Sequence, residues 1–278
     1  MLPVARAEIP AALDWLAVHA QGPVFLESNL RAYGLGGRNP YSLDLWRGPG
    51  GLVGLTTGGI LLPQMTLAGD ANWPALRPAL AGRDITALIG VEAQVRRAQA
   101  ALDLIAAPKR LDRVEPAFSL TLSDLVMPAI QGLELRPVRD ADVPLLIRWN
   151  TAYRIEILGD APLEAEAAAR ANIALYHAED SHRILWQGET PVAMTGFNAP
   201  LPDLVQVGGV YTPPALRRRG FARAAVALHL ADARAQGIAR ARLFAANAHA
   251  ARAYAAIGFR AHGHIATVIQ AAPQKVQP

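Results

Sequence analysis

Hydrophobic spacing along the chain switches between helical and strand-like periods, and the second half restarts the same kind of pattern as the first. In the first half, apolar positions at helical spacing predict a helix over residues 9–20, and Ser28 is predicted to cap a second helix that ends at Tyr33. Apolar runs between glycines (SLDLW, GLVGLTT, GILLPQM) predict three successive antiparallel strands. The remaining predicted elements of this half are a short helix over 72–81, a buried strand DITALIG, a helix over 91–106 and a strand over 118–122.

A break in periodicity separates the two halves. The segment SDLVMPAIQG follows neither period and contains the breakers Pro128 and Gly132. We therefore predict two domains, an N-terminal lobe over 1–125 and a second domain over 133–278.

The second half restarts the pattern and predicts a mixed α/β domain. Asn247 is placed to cap the last helix, and Gly237 is placed to end the one before it. The closing segment AAPQKVQP is predicted to be a loose tail. The predicted elements are a strand LELRPV, helices over 141–153 and 162–178, a hairpin of HRILWQ and VAMTGFNA, a strand LVQVGGVY, a helix over 221–236, a strand ARLFA, a helix over 247–257, and two closing strands, FRAHG and HIATVIQ.

Composition narrows the class of protein. The 278 residues are 52% hydrophobic and 18% charged, which is typical of a globular chain with a sizeable core. The net charge of +4 comes from arginines spread along the chain, and this distribution does not favour nucleic-acid binding. The absence of cysteine excludes disulfides and thiolate ligands. With no signal peptide and no long apolar run, we expect a cytoplasmic protein without a membrane partner; the Ala- and Arg-rich composition favours a bacterial source.

The segment VYTPPALRRRGFA, residues 210–222, has the chemistry of an anion site. It joins a predicted strand to the start of a helix, where the first amides have no partner and the helix dipole is positive. Small residues at 220 and 222 let an anion approach the backbone, and three adjacent arginines add charge. A diphosphate fits this pattern. A glycine that merely eases a tight turn, with solvent-facing arginines, is the alternative reading.

The residues around this loop resemble the GNAT superfamily of N-acetyltransferases. Arg217-x-x-Gly220-x-Ala222 is similar to the superfamily's Arg/Gln-x-x-Gly-x-Gly/Ala loop, and VGGVYTPPALR is similar to its fourth strand and turn. Downstream, Asn247, Tyr254 and Gly258-Phe259 follow the spacing of its second cofactor motif. The resemblance covers about residues 133–269. It implies an α/β (α+β) GNAT fold, with a mixed, mostly antiparallel sheet flanked by helices, and acetyl-CoA as the co-substrate.

The resemblance also implies roles for individual residues. The fourth and fifth strands would splay apart around the pantetheine arm, with Gly208 and Gly209 allowing a bulge. Asn247 would reach the pantetheine, and Tyr254 would act as the acid for the leaving thiolate. The implied cofactor-binding residues are Val210, Tyr211, Thr212, Arg217, Arg218, Arg219, Gly220, Phe221, Ala222, Asn247 and Ala250.

The general base is less clear from the sequence. Many relatives have a glutamate on the fourth strand, whereas this strand carries Gln206. Glu156 is the leading catalytic candidate for this role, and a surface carboxylate is its alternative. His262 and His264 share one face of a predicted strand and are either cleft residues or solvent-exposed. No group of residues has the spacing of a metal site.

The first half resembles a degenerate GNAT-like lobe. The helix after DITALIG lacks the Gly-x-Gly/Ala loop, so this lobe is predicted not to bind the cofactor. The sequence thus predicts an acetyl-CoA-dependent N-acetyltransferase that acts by direct attack of a primary amine on the thioester. A non-catalytic acyl-CoA-binding sensor is the alternative. The acceptor is a small-molecule or a protein amine, and the chain is a monomer or a homodimer.

Overall fold

The computed structural model describes residues 1–66, 72–129 and 131–278, which form two compact units. Unit 1 consists of Met1–Glu115 together with Gly263–Pro278, and unit 2 of Pro116–His262. The boundaries between the units fall inside two long strands, β6 (Lys109–Thr121) and β12 (Arg260–Lys275).

The described part of unit 1 contains four α-helices and a mostly antiparallel sheet. One apolar cluster of the described residues packs the strands against the last two helices, and another packs them against the first two. In chain order its elements are β1 (Leu2–Pro3), α1 (Ile9–His19), α2 (Phe25–Tyr33), β2 (Leu43–Gly48), β3 (Gly51–Thr56), β4 (Ile60–Met65), α3 (Leu76–Leu80), β5 (Asp84–Val91) and α4 (Glu92–Ala101).

Unit 2 has the same kind of architecture with longer helices. Neighbouring residues of one strand, Ile184 and Leu185, face opposite sides of the sheet and belong to different apolar clusters. In chain order its elements are β7 (Leu133–Pro137), α5 (Val143–Tyr153), α6 (Pro162–Ala178), β8 (His182–Gln187), β9 (Thr190–Pro200), β10 (Leu204–Tyr211), α7 (Phe221–Ala235), β11 (Arg240–Phe244) and α8 (Ala248–Ala255). Ile184 packs with α5 and α6, whereas Leu185 packs with α7, so helices flank both faces.

The two units repeat one strand order. In unit 1 the order is β1-β2-β3-β4-β5-β12, and in unit 2 it is β7-β8-β9-β10-β11-β6. The fourth and fifth strands of each series, β4–β5 and β10–β11, are parallel, and the other described pairs are antiparallel. Both series place two helices between the first and second strands. The described residues thus confirm the predicted GNAT-like fold of both halves.

The last strand of the first half, β6, belongs to the sheet of unit 2. The last strand of the second half, β12, belongs to the sheet of unit 1. Residues 117–121 of β6 pair with β11, and β12 pairs with β5. The compact units therefore differ from the predicted domains 1–125 and 133–278, because contact density follows the paired strands rather than chain order. The domains 1–125 and 133–278 remain a prediction, namely that the second half carries the cofactor and the chemistry.

Most predicted elements are confirmed, and the corrections lie at element ends. Ser28 does not cap α2; the helix begins at Phe25, and the Ser28 amide donates to the Val24 carbonyl inside the first turn. The helix expected over 91–106 ends at Ala101, where Leu102 adopts a non-helical conformation. The strand expected over 118–122 begins at Lys109.

The C-terminal segment departs most from the prediction. FRAHG and HIATVIQ form one strand, β12, because Gly263 takes a positive φ of 99° without ending the strand. The tail is not loose: Gln274 and Lys275 pair with β5, and Val276 is 1% exposed. Among the described residues, no helix is long and apolar enough to cross a membrane.

Candidate active site

A gap between two parallel strands forms the centre of the candidate site in unit 2. Pairing of β10 with β11 runs only from Leu204↔Arg240 to Gln206↔Arg242, although both strands continue beyond these residues. The strands therefore diverge after Gln206, as predicted. Main-chain groups of β10 beyond that point face a space that an extended ligand arm can enter.

Bulges on the other edge of β10 accompany this divergence. The register with β9 shifts between Gln206 and Val207 and again between Gly208 and Tyr211, which confirms the predicted bulge. Gly209 has φ +62°, and a Cβ there would lie 2.7 Å from the His182 ring nitrogen Nε2. Both the backbone angle and the close ring require glycine at this position.

The loop after β10 presents an open backbone at the start of α7. Gly220 is the N-cap, with φ 83° and ψ 2°, and no side chain caps the helix. A Cβ at Gly220 would meet only the Arg223 guanidinium, at 3.6 Å, so the space above this glycine is free. Arg218 also has a positive φ, 64°, which is uncommon for a residue with a side chain and is typical of functional loops. Such left-handed residues form backbone concavities that bind anions.

The structure brings Glu156 and Arg217 together. Arg217 Nη1 and Nη2 donate to Glu156 Oε1 and Oε2 at 2.7 and 2.6 Å. Arg217 Nε donates to the Thr212 carbonyl at 2.9 Å, and its guanidinium lies 5.6 Å from the centroid of the Tyr211 ring. The hydrogen bonds from Arg217 hold the pKa of the Glu156 carboxyl below its usual range. Sequence spacing contained no sign of this pair, because 61 residues separate its members.

Helix α8 holds the other predicted residues. Asn247 caps it as predicted, since its Oδ1 accepts from the amides of His249 and Ala250 at 3.0 Å each. Tyr254 is 7% exposed, and its ring meets that of Phe259 edge-on at 6.1 Å. Tyr254 belongs to the apolar cluster that also includes Val207 of β10 and Leu243 of β11, and this cluster packs against Val210 and Ala250. Tyr254 therefore shares an apolar cluster with residues of both diverging strands.

Polar side chains behind the bulge were missed by sequence reasoning. His182 is 1% exposed, stacks on Tyr176 at 3.7 Å, and its Nδ1 lies 3.0 Å from the Ser181 hydroxyl. Burial, followed by the charge of Arg183, lowers the pKa of His182 to about 3. Gln206 Nε2 donates to the side chain of Asn198 at 3.2 Å. Counting residues outward from the GETP turn would have placed His182 opposite Thr195. The observed partner is Gly196, because the register shifts by one residue between Leu185 and Trp186.

The residues present fit an acyl-CoA. The buried Thr212 hydroxyl has no hydrogen-bond partner among the described residues, and the open cradle above Gly220 lies a few residues further along the same loop. Arginine and glycine at the start of a 15-residue helix suit a diphosphate. Over the part of the chain that the structure describes, no group of three or more His, Asp or Glu side chains could hold a metal ion.

Comparison with known proteins shows which family part of unit 2 resembles. Residues 144–259 match the family model described as the acetyltransferase (GNAT) family. That segment carries the diverging strands, the Arg217–Ala222 loop and α8. This segment is thus similar to the GNAT acetyltransferases, a family whose co-substrate is acetyl-CoA and whose general reaction is acetyl transfer. No curated protein matches the chain.

Solved structures show the same fold over nearly the whole chain. A GNAT-family acetyltransferase from Colwellia psychrerythraea is 11% identical, with a TM-score of 0.57, covering 96% of this chain and 98% of its own. A GCN5-related N-acetyltransferase from Kribbella flavida is 15% identical, with a TM-score of 0.53 and coverages of 98% and 97%. A tandem GNAT protein from the clavulanic acid biosynthesis pathway is 15% identical, with a TM-score of 0.58 and coverages of 100% and 98%. At these identities the likeness concerns the fold.

Proposed function

We propose that the protein is an acetyl-CoA-dependent N-acetyltransferase that transfers the acetyl group to a primary amine by direct attack on the thioester. The observation that carries the proposal is the end of β10–β11 pairing at Gln206↔Arg242, next to a glycine-capped loop at the start of α7. A gap between strands that leads to an anion-binding loop matches two parts of an acyl-CoA, the extended pantetheine arm and the diphosphate that follows it.

The cofactor-binding residues follow from this placement. Main-chain groups of Val210 and Tyr211, at the end of β10, and of Thr212, the next residue, would bond the pantetheine arm. The loop from Arg217 to Ala222 would hold the diphosphate through amides and arginine side chains. Asn247 and Ala250, at the start of α8, would contact the arm from the β11 side.

Tyr254 is the proposed acid. When the amine nitrogen attacks the carbonyl carbon, the carbon–sulfur bond breaks and the sulfur leaves with the electron pair. The Tyr254 hydroxyl would donate its proton to that sulfur, and the surplus proton of the amine would leave to a base or to water. Its membership of the apolar cluster that includes Val207 of β10 and Leu243 of β11 supports this role. Holding the amine close to the thioester would supply much of the rate.

Calorimetric titration with acetyl-CoA and with CoA tests the proposal. Wild-type protein should bind both, and Gly220→Glu should abolish binding, because a carboxylate would occupy the diphosphate position. Gly237→Glu is the matched control: Gly237 lies beyond the other end of α7, also has a positive φ (94°), and a Cβ there meets nothing within 4 Å. Absence of binding by the wild type, or equal loss in both variants, would contradict the proposal.

An assay of turnover distinguishes the proposed enzyme from the alternative, a non-catalytic acyl-CoA-binding sensor. A panel of primary amines, with detection of released thiol, should identify at least one acceptor for the wild type. Tyr254→Phe should then bind acetyl-CoA with unchanged affinity and lose about 10- to 100-fold in kcat. Binding without thiol release across amino acids, polyamines and peptide amines would favour the sensor.

A further inference from the structure

The turn that carries Glu156 is itself held in place. It is a π-helical turn, Arg154–Leu158, that continues α5 and ends at Gly159 in the left-handed conformation (φ 69°, ψ 24°). An ion pair between Arg154 and the buried Asp160, whose side chain is 1% exposed, closes the turn. The Asp160 amide also donates to the Arg154 carbonyl at 3.3 Å. Glu156 is therefore presented from a fixed segment rather than from a free loop.

Arg217 is fixed from three sides. Both carboxylate oxygens of Glu156 accept from its two terminal nitrogens, the Thr212 carbonyl accepts from Nε, and the Tyr211 ring lies below the guanidinium. The two-point geometry restricts rotation of the guanidinium in a way that a single contact does not. Thr212 and Arg217 are the two ends of the short segment between β10 and the glycine-capped loop. The contacts of Arg217 thus tie this segment to the turn after α5.

We propose that Glu156 is a positioning residue. By accepting two hydrogen bonds from Arg217, it holds the segment from Thr212 to Gly220 in the conformation that binds the acyl-CoA diphosphate. This inference rests on the proposed function of the loop and gives Glu156 a role other than the general base predicted from the sequence. The residue acts through Arg217 and the loop backbone, and it does not itself need to touch the substrate.

Two observations favour positioning over proton transfer. A carboxylate with both oxygens engaged by one guanidinium has a lowered pKa and is a weaker proton acceptor than a free one. Glu156 is also hydrogen-bonded to Arg217, the first residue of the proposed diphosphate-binding loop. In an acyl-CoA the thioester is at the other end of the pantetheine arm from the diphosphate. A base for the amine belongs at that other end, beside the diverging strands and Tyr254.

The ligand-free protein provides the first test, by hydrogen exchange of the amides from 212 to 224. Glu156→Gln keeps the shape of the side chain and removes its charge, so exchange in this segment should increase by roughly 5-fold or more. Glu156→Asp, which keeps the charge, should partly restore protection. Glu166→Gln is the matched control, since it breaks another exposed carboxylate–arginine pair of unit 2 (2.6 Å to Arg170) away from the loop. Equal exchange in wild type and Glu156→Gln would overturn the inference.

Binding of acetyl-CoA provides the second test. Glu156→Gln and Arg217→Lys should each raise the Kd roughly 3- to 10-fold, and the double variant should lose no more than the larger single effect, because the two residues act as one unit. In turnover, Glu156→Gln should raise KM for acetyl-CoA while kcat and its pH profile at saturation stay unchanged. A 100-fold fall in kcat with unchanged Kd would instead establish the base. Failure of wild type to bind acetyl-CoA defeats the proposed function separately from these comparisons.

Discussion

At the residue scale, unit 2 contains two histidines buried in uncharged form. His182 is 1% and His229 4% exposed, and His229 stacks on Phe197 at 3.7 Å. Burial is the main cause that lowers both pKa values to about 3, and the positive charge of Arg183 adds to it. Neither residue could be recognised from the sequence, because isolated histidines carry no sign of their burial. Their neighbours come from strand pairing and from the face of α7.

These histidines predict a loss of stability in mild acid. An unfolded imidazole titrates near pH 6.5, so between that value and pH 3 the unfolded state binds more protons, and stability falls as pH falls. From pH 7.5 to 5.0 each histidine should remove about 2 kcal/mol from the free energy of unfolding. Urea titrations at the two pH values measure this difference. The double variant His182→Gln/His229→Gln should flatten it, and an equally steep dependence in that variant would contradict the assignment.

At the element scale, sequence patterns predicted most helices and strands but not where each of them ends. Helix α6 was predicted with the observed bounds, Pro162–Ala178, because proline fits a first turn and the apolar spacing is regular. The continuity of β12 was missed because Gly263 resembles a breaker. The π-helical turn after α5 was missed because nothing in RIEIL distinguishes it from a further helical turn. The local sequence alone does not determine where such an element ends, because the end also depends on tertiary contacts.

The turn after α8 gives a prediction about one such end. Gly258 has φ +104°, and a Cβ there would lie 2.6 Å from the Asp124 carbonyl oxygen. Gly258→Ala should therefore lower the free energy of unfolding by about 2–4 kcal/mol through backbone strain and overlap with main chain that cannot move away. Gly188→Ala isolates the strain, since Gly188 has φ +57° and a Cβ there meets nothing within 4 Å; it should cost about 1 kcal/mol. Equal costs in urea unfolding would show that the overlap is relieved.

At the scale of the whole molecule, sequence revealed the repeat but not the exchange of last strands. The loop residues 217–222 and the Asn247-to-Tyr254 spacing were sufficient to indicate the family, because those motifs are local. Which strand pairs with β5 or β11 depends on partners far away in the chain, and an apolar run does not specify its partner. For the same reason the pairing of Glu156 with Arg217 could not be read from either segment alone.

Removing the predicted tail tests the role of β12 in unit 1. Deletion of residues 271–278 eliminates the pairing of Gln274 and Lys275 with β5 and the buried side chain of Val276, whose amide donates to the Arg83 carbonyl at 2.9 Å. We expect unfolding in urea to lose about 2–4 kcal/mol. Deletion of residues 277–278 alone, both exposed, should change stability by less than about 0.5 kcal/mol. If the protein without residues 271–278 is as stable as the protein without residues 277–278, the segment contributes no stability and is a loose tail, as the sequence predicted.

Unit 1 repeats the parallel pair of strands but fills the space beyond it with its own side chain. β4 and β5 pair at Ile60↔Ala87 and Leu61↔Leu88. At the end of β4, the Met65 amide donates to Gln94 Oε1 at 3.0 Å, and Gln94 Nε2 donates to the Met65 carbonyl at 2.8 Å. The amide group of Gln94, from α4, thus takes both main-chain bonds that an inserted ligand arm would need. The helix after β4, α3, has only five residues, against fifteen in α7.

The chain should therefore bind one acetyl-CoA, in unit 2, although its fold is repeated. Calorimetric titration of the wild type should give a stoichiometry of one, and Gly220→Glu should leave no binding at all, because the described residues of unit 1 offer no second site. A stoichiometry of two, or one site that survives in Gly220→Glu, would assign a working cofactor site to unit 1. Gln94→Ala separates the two reasons for a single site: if only the glutamine side chain closes the gap in unit 1, its removal should allow weak binding of CoA there. If the short α3 is also insufficient for a diphosphate, the stoichiometry should stay at one, which is the outcome we expect, since a five-residue helix offers little dipole to an anion.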